Sequence, residues 1–239
     1  MKKILVIIFV LLFTARAKSQ QQFTGWLASF NTYKFDKNLS LHFEAQIRST
    51  DELKNIQTIL LRPGLNIHFS KKMIGSFGYG FIQNRRVISN IPGIAVEHRL
   101  WQQLLYTQKI KNITSSHRLR LEQRFLPDSK IVNNSIQNDG NKYANRIRYF
   151  TRNLIPLSNQ KTFTKGLFTG IQNETFFNVG NSSSVNGKTF DQNRLFLSVG
   201  YRIADKFDIE LGYMNQYISG RDKNFTNNHI LQVAAYTRL

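Results

Sequence analysis

Apolar and polar residues alternate with period two along almost the whole chain, and a 3.6-residue apolar repeat is nearly absent, which predicts strands rather than helices. In LSLHFEAQIRS, Leu39, Leu41, Phe43, Ala45 and Ile47 oppose Ser40, His42, Glu44, Gln46 and Arg48. TILLRPGLNIHF repeats the pattern with Ile59, Leu61, Leu65, Ile67 and Phe69 on one face. IGSFGYGFIQ, EHRLWQQLLYTQ, SSHRLRLEQRF, YANRIRYFTRNL, GLFTGIQNETFF, NRLFLSVGYRI, FDIELGYMNQY and HILQVAAYTRL continue it. With GWLASFNTYKF at the start, there are about eleven strands of the length that crosses a membrane when tilted.

The stretch HRLRLEQRF (117–125) poses the main question, because charged residues occupy every second position from Arg118 to Arg124. In a soluble sandwich Leu119, Leu121 and Phe125 point to a core and the charges to water. In an outer-membrane barrel the faces invert, with leucine against lipid and arginine in the lumen. A mid-bilayer arginine facing lipid costs about 2 to 4 kcal/mol, so a membrane reading requires Arg118, Arg120, Glu122 and Arg124 to face inward.

The connections favour the barrel. Short ones (36–38, 70–72, 109–112, 204–206) alternate with long polar ones (50–55, 84–95, 127–142, 178–189, 219–227), as periplasmic turns and external loops do. The last strand ends at Leu239 with no tail, which suits a closing strand. Phe35, Phe69, Tyr106, Phe125, Tyr201, Phe207, Tyr213 and Tyr217 fall near strand ends, where interface aromatics sit. Even parity is the rule for bacterial single-chain barrels, so the expectation is an antiparallel up-and-down transmembrane β-barrel of about 10 or 12 strands. A twelfth strand is needed if GWLASFNTYKF lies in the membrane; otherwise ten run from Leu39 to Leu239.

The N-terminus adds an address. Lys2 and Lys3, an apolar run from Ile4 to Phe13 and the Ala17-Lys18-Ser19 cleavage site make residues 1–19 a secretory signal peptide, leaving 20–239 as one domain. The expected location is therefore the cell outer membrane. Removing Lys2, Lys3, Arg16 and Lys18 lowers the net charge from +19 to +15. In that compartment the matching anions are lipid phosphates rather than nucleic acid. The expected partners are outer-membrane lipids and lipopolysaccharide, and the barrel-assembly machinery that such barrels use. Cysteine is absent from the sequence, so neither disulfides nor thiolate metal sites are available.

The inward set is rich in arginine. A tight turn around Ile110-Lys111 sets Arg99 opposite Glu122 and Glu97 opposite Arg124, on the same face as Arg118, Arg120, Trp101 and Gln103. Arg146, Arg148 and Arg152 share a face within reach of Glu174; Arg194 follows, and Arg202 faces Asp208 across the 204–206 turn. Arg48, Arg62, Arg118, Arg120 and Arg238 have no evident acidic partner. Such an array either fills and rigidifies a narrow lumen or forms a conduit or binding site for small anions. The candidate anion-contacting residues are Glu97, Arg99, Arg118, Arg120, Glu122, Arg124, Arg146, Arg148, Glu174, Arg194 and Arg202.

Catalytic signals are thin. His98, Gln123 and Asn145 fall side by side on the outward face, with Asn173 and Asn193 in comparable places, the alternative being a lipid hydrolase or acyltransferase site. That row lacks a nucleophile near His98. The five histidines, His42, His68, His98, His117 and His229, show no metal-ligand spacing, and no cofactor is expected. The glycines of GSFGYG lie within a strand, where close packing explains them.

The words LRPGL, EHRLWQQ, RLRLEQRF, RIRYFTRN, NETFF, NRLFLSVGYR and LGYMNQY resemble a family of small exported proteins of Gram-negative bacteria known as a domain of unknown function. The resemblance spans nearly the whole mature chain and is most specific in EHRLWQQ and RLRLEQRF. It implies an outer-membrane-type barrel and carries no activity or site residues with it.

Overall fold

The computed structural model describes residues 20–239 apart from Asp51, Asn159 and Lys161. The expected signal peptide, 1–19, lies outside the described residues. Eleven strands follow in order: β1 (Gln20–Lys34), β2 (Leu39–Thr50), β3 (Asn55–His68), β4 (Met73–Ile88), β5 (Ile91–Ile110), β6 (Ile113–Val132), β7 (Ser135–Pro156), β8 (Gly166–Val179), β9 (Phe190–Ala204), β10 (Phe207–Ser219) and β11 (Phe225–Arg238). Each pairs with its sequence neighbour antiparallel, and β1 closes the barrel against β11.

The strand number corrects the expectation of 10 or 12. GWLASFNTYKF is a wall strand, and no twelfth is needed because β1 and β11 pair in parallel, from Gln20 opposite Thr226 to Thr32 opposite Arg238. Even parity follows only when every neighbour is antiparallel. With an odd number the first and last strands run the same way, and a parallel ladder joins them.

The faces are those of an inverted protein. Along β6, Leu119 is 54% exposed and Leu121 37%, whereas Arg120 is 1% and Glu122 0% exposed. Leucine therefore lies outside and charge inside, and the same alternation runs around the barrel, with Leu27, Phe43, Phe77, Leu104, Leu197, Leu211 and Leu231 on the outer surface. Inside, Trp26, Phe196, Met214 and Ile230 form an apolar cluster.

Trp101, fully buried, lies flat on the wall opposite Gly64 and Gly78. These glycines face each other across β3 and β4, and a Cβ on Gly64 would come within 2.5 Å of the indole. The GSFGYG motif thus serves close packing, as its place in a strand implies.

Two of the expected long loops are strand instead. β4 and β5 join through Ser89-Asn90 (φ 48° and 65°), and β6 and β7 through Asn133-Asn134 (φ 49° and 59°). Both central residues of each turn are left-handed, the geometry that fits a two-residue hairpin to twisted strands. The polar stretches 84–95 and 127–142 therefore prolong β4 to β7 beyond the rest of the barrel. The strict alternation of loop lengths also fails at 157–165, a long connection at the end that otherwise carries short turns.

Candidate functional site: an arginine-lined lumen

The inward positions of the strands set the chemistry. Arg48, Arg62, Arg99, Arg118, Arg120, Arg124, Arg146, Arg148, Arg152, Arg194 and Arg202 share the interior with Glu44, Glu97, Glu122, Glu174, Glu210, Asp191 and Asp208. Arginine outnumbers carboxylate there, so pairing leaves positive charge over. Guanidinium is the suitable cation, because its planar fork bridges two carboxylates at once and is weakly hydrated.

Glu122, with no exposed surface, is the hub. It accepts from Arg146 Nη2 and Arg148 Nη1, both at 2.6 Å, and Arg62 and Arg99 approach it at 3.9 Å. Arg146 also donates to Asp191 at 2.8 Å. Arg148 Nη2 and Arg118 Nη2 both donate to Glu174 Oε1 at 2.7 Å. Glu97 accepts from Arg99 and Arg124, each at 2.6 Å. Eight of the residues selected from sequence thus form one network spanning β5 to β8. Arg202 stands apart toward the short-turn end, where it and Arg238 grip Asp208 at 2.8 Å.

The expected register of β5 and β6 is off by two residues. The turn is Lys111-Asn112, with Lys111 at φ 56° and Ile110 opposite Ile113, so Arg99 faces Arg124 and Trp101 faces Glu122. Glu97 and Arg124 meet diagonally, which long side chains can span. The list of unpartnered arginines also shortens. Arg62 finds Glu44 at 2.6 Å, Arg118 finds Glu174, and Arg238 finds Asp208. These partners come from other strands, and sequence alone does not give their heights along the barrel.

Of the eleven interior arginines named above, three make no ion pair with a described residue. Arg120 donates to Gln103 Oε1 at 2.6 Å and lies over the Trp101 ring. Arg48 donates to Gln46 Oε1 at 2.6 Å and stacks 3.9 Å from the centre of Trp26. Arg194 lies 5.0 Å from the same indole and 4.7 Å from Phe176, with Gln192 as an acceptor at 3.3 Å.

Sequence reasoning missed Trp26, Asp191, Glu210 and Tyr236 as parts of this interior, and it placed Glu44 on the inward face without finding Arg62 as its partner. Glu210 is fully buried and accepts from Arg152 and Tyr236, both at 2.7 Å. The alternation in FDIELGY already put Asp208 and Glu210 on one face, and that was the available signal.

The interior is not filled throughout. A cavity of about 460 Å³ at the short-turn end and one of about 340 Å³ at the opposite mouth flank a central one of about 170 Å³. Arg118, Phe150 and Arg152 line both the first and the central cavity; Arg48, Arg62, Arg148 and Arg194 line both the central one and the mouth.

On the outer face only part of the expected row of His98, Gln123 and Asn145 is assembled: Gln123 and Asn145 lie opposite each other, and His98 stands two residues away along the strand. Phe125 lies opposite His98, and Leu100 lies opposite Gln123, because the same two-residue shift applies. The His98 ring is hydrogen-bonded to the Tyr79 hydroxyl, and Gln123 to Gln102. His117 with Tyr149 and His229 with Tyr213 repeat the first arrangement. Asn173 and Asn193 do pair, at 3.1 Å. Among the described residues no cluster of histidine and carboxylate is placed to hold a metal ion.

Known proteins place this barrel. An uncharacterized protein of Methylorubrum extorquens is 23% identical over 196 residues, covering 82% of this chain and 78% of its own. The solved structure of the NanC porin in a rhombohedral crystal form superposes with a TM-score of 0.50 over 90% of this chain and 98% of that one, at 12% identity, a likeness of fold. The family model described as a protein of unknown function, DUF2490, matches residues 23–227, and the chain belongs to that family.

Proposed function

We propose that the protein is a non-enzymatic barrel of the outer membrane, exported by its N-terminal segment, whose lumen binds small anions and passes them through a narrow path. The apolar outer face supports the location, since a belt with Leu119, Leu197 and Leu211 exposed suits hydrocarbon better than water. The observation that carries the anion reading is the interior excess of arginine, above all Arg48 and Arg194, which border the cavities with no carboxylate partner.

An anion entering this space replaces part of its hydration shell with preoriented guanidinium donors, which cations meet as repulsion. Reconstitution in planar bilayers under a potassium chloride gradient tests the proposal. The expected result is a small conductance whose reversal potential favours chloride and shifts toward zero in Arg48→Gln and Arg194→Gln. Cation selectivity, or a barrel that does not conduct, would remove the conduit.

A further inference from the structure

The central cavity has a lining that a bare inorganic ion does not match. Its charged side carries Arg48 and Arg194 beside two groups already paired, Glu44 with Arg62 and Glu174 with Arg118 and Arg148, while Trp26, Phe30, Phe150 and Met214 give it an apolar wall. Two observations point to a missing acceptor. Arg48 and Arg194 are both held over Trp26 without an ion pair. Independently, the Nε atoms of Arg62 and Arg118 are buried with no hydrogen-bond partner, although their Nη atoms are engaged by Glu44 and Glu174. Buried donors ordinarily find an acceptor.

Size and polarity narrow the class. At about 170 Å³ the cavity is comparable to apolar cavities of about 150 Å³ that admit a benzene ring. Phosphate or acetate would engage the guanidinium groups and leave the aromatic wall uncovered. A ring-bearing carboxylate satisfies both halves, its oxygens accepting from the arginines and its ring against Phe30, Phe150 and Met214.

We infer that this cavity is a binding site for a small monocarboxylate carried on a six-membered ring, with Arg48 and Arg194 as its anion-holding residues. The inference rests on the anion reading of the lumen and adds the ligand class.

Calorimetric titration of the purified full-length barrel in detergent with benzoate, acetate and inorganic phosphate tests it, with intrinsic tryptophan fluorescence following Trp26. Benzoate is expected to bind at least tenfold more tightly than either other anion. Arg48→Gln and Arg194→Gln are each expected to weaken benzoate tenfold or more, while Lys130→Gln, on the protruding hairpin, leaves it unchanged. Circular dichroism of each variant establishes that the barrel has formed, and an unfolded variant is replaced by Arg→Lys at the same position, which keeps the charge and loses the fork. Equal affinity for the three anions, or benzoate binding indifferent to both folded variants, would overturn the site. Benzoate binding without anion-selective current sinks the conduit and keeps the site; anion-selective current without a benzoate preference does the reverse.

Discussion

Arg148 donates from Nη1 to Glu122 Oε1 at 2.6 Å, in a part of the lumen where Glu122 has no exposed surface. A carboxylate so far from bulk water is tolerated only with its lone pairs occupied, and Arg146 fills the other oxygen. The hub joins β6 to β7 and, through Glu174, β7 to β8. It therefore braces the wall from inside, where a soluble protein would use an apolar core.

Neutralising that hub leaves guanidinium groups facing one another. Glu122→Gln is expected to destabilise the folded barrel by about 3 to 5 kcal/mol, the usual penalty for removing one partner of a buried ion pair. Glu122→Gln combined with Arg148→Met should recover part of the loss. Urea titration in lipid vesicles measures both; a variant within about 1 kcal/mol of wild type would show that the network is not structural.

The outer face gives the complementary test. Leu119, one position from Arg120 and 54% exposed, should resist arginine: Leu119→Arg is expected to lose about 2 to 4 kcal/mol in vesicles. In a protein bathed by water the same exposed substitution would change stability little. Neutral behaviour in vesicles would contradict a lipid-facing Leu119.

The glycine bed under Trp101 has no room to yield. A Cβ on Gly78 would fall onto the Pro63 carbonyl oxygen and within 2.6 Å of the indole. Because one neighbour is backbone, Gly78→Ala should cost about 1 to 3 kcal/mol and perturb the Trp101 emission. Gly180→Ala differs in kind, for its site is open and the strain comes only from a φ of 74°. It should leave tryptophan fluorescence unchanged.

The parallel seam can be locked covalently, since the chain has no cysteine of its own. Gln22 and Asn228 are register partners that both border the mouth. Neighbouring Cα atoms in paired strands fall within disulfide range. Gln22→Cys with Asn228→Cys should crosslink on mild oxidation, read as a mobility shift in unboiled and boiled gels. Gln22→Cys with Arg238→Cys, at the other end of β11, should stay reduced; the opposite pattern would exclude the parallel ladder.

Much of this architecture was readable in the alternation. Leu39 to Arg48, or Arg118 to Arg124, assigns each residue to a face because a strand has a strict period of two, and lipid accepts only one face. The candidates of β5 to β9 accordingly all turned inward. The pairings were less legible. One residue at the Lys111 turn moves every β5–β6 partner by two positions, so faces survive while contacts change. Arg62 and Glu44 are register partners across β2 and β3, a pairing fixed by that hairpin's register, whereas Arg152 with Glu210 depends on the curvature that brings side chains of nonadjacent strands to the axis.

The sequence by itself determined that these segments are strands, that leucine and arginine take opposite sides, and that arginine is in excess, because periodicity and charge are local and additive. Only the tertiary structure decided that eleven strands close through a parallel seam, that Glu122 gathers four guanidinium groups within 4 Å, and that Arg48 and Arg194 share Trp26 beside a central cavity. Closure direction, register and height along the axis are properties of the whole ring, and a single strand carries none of them.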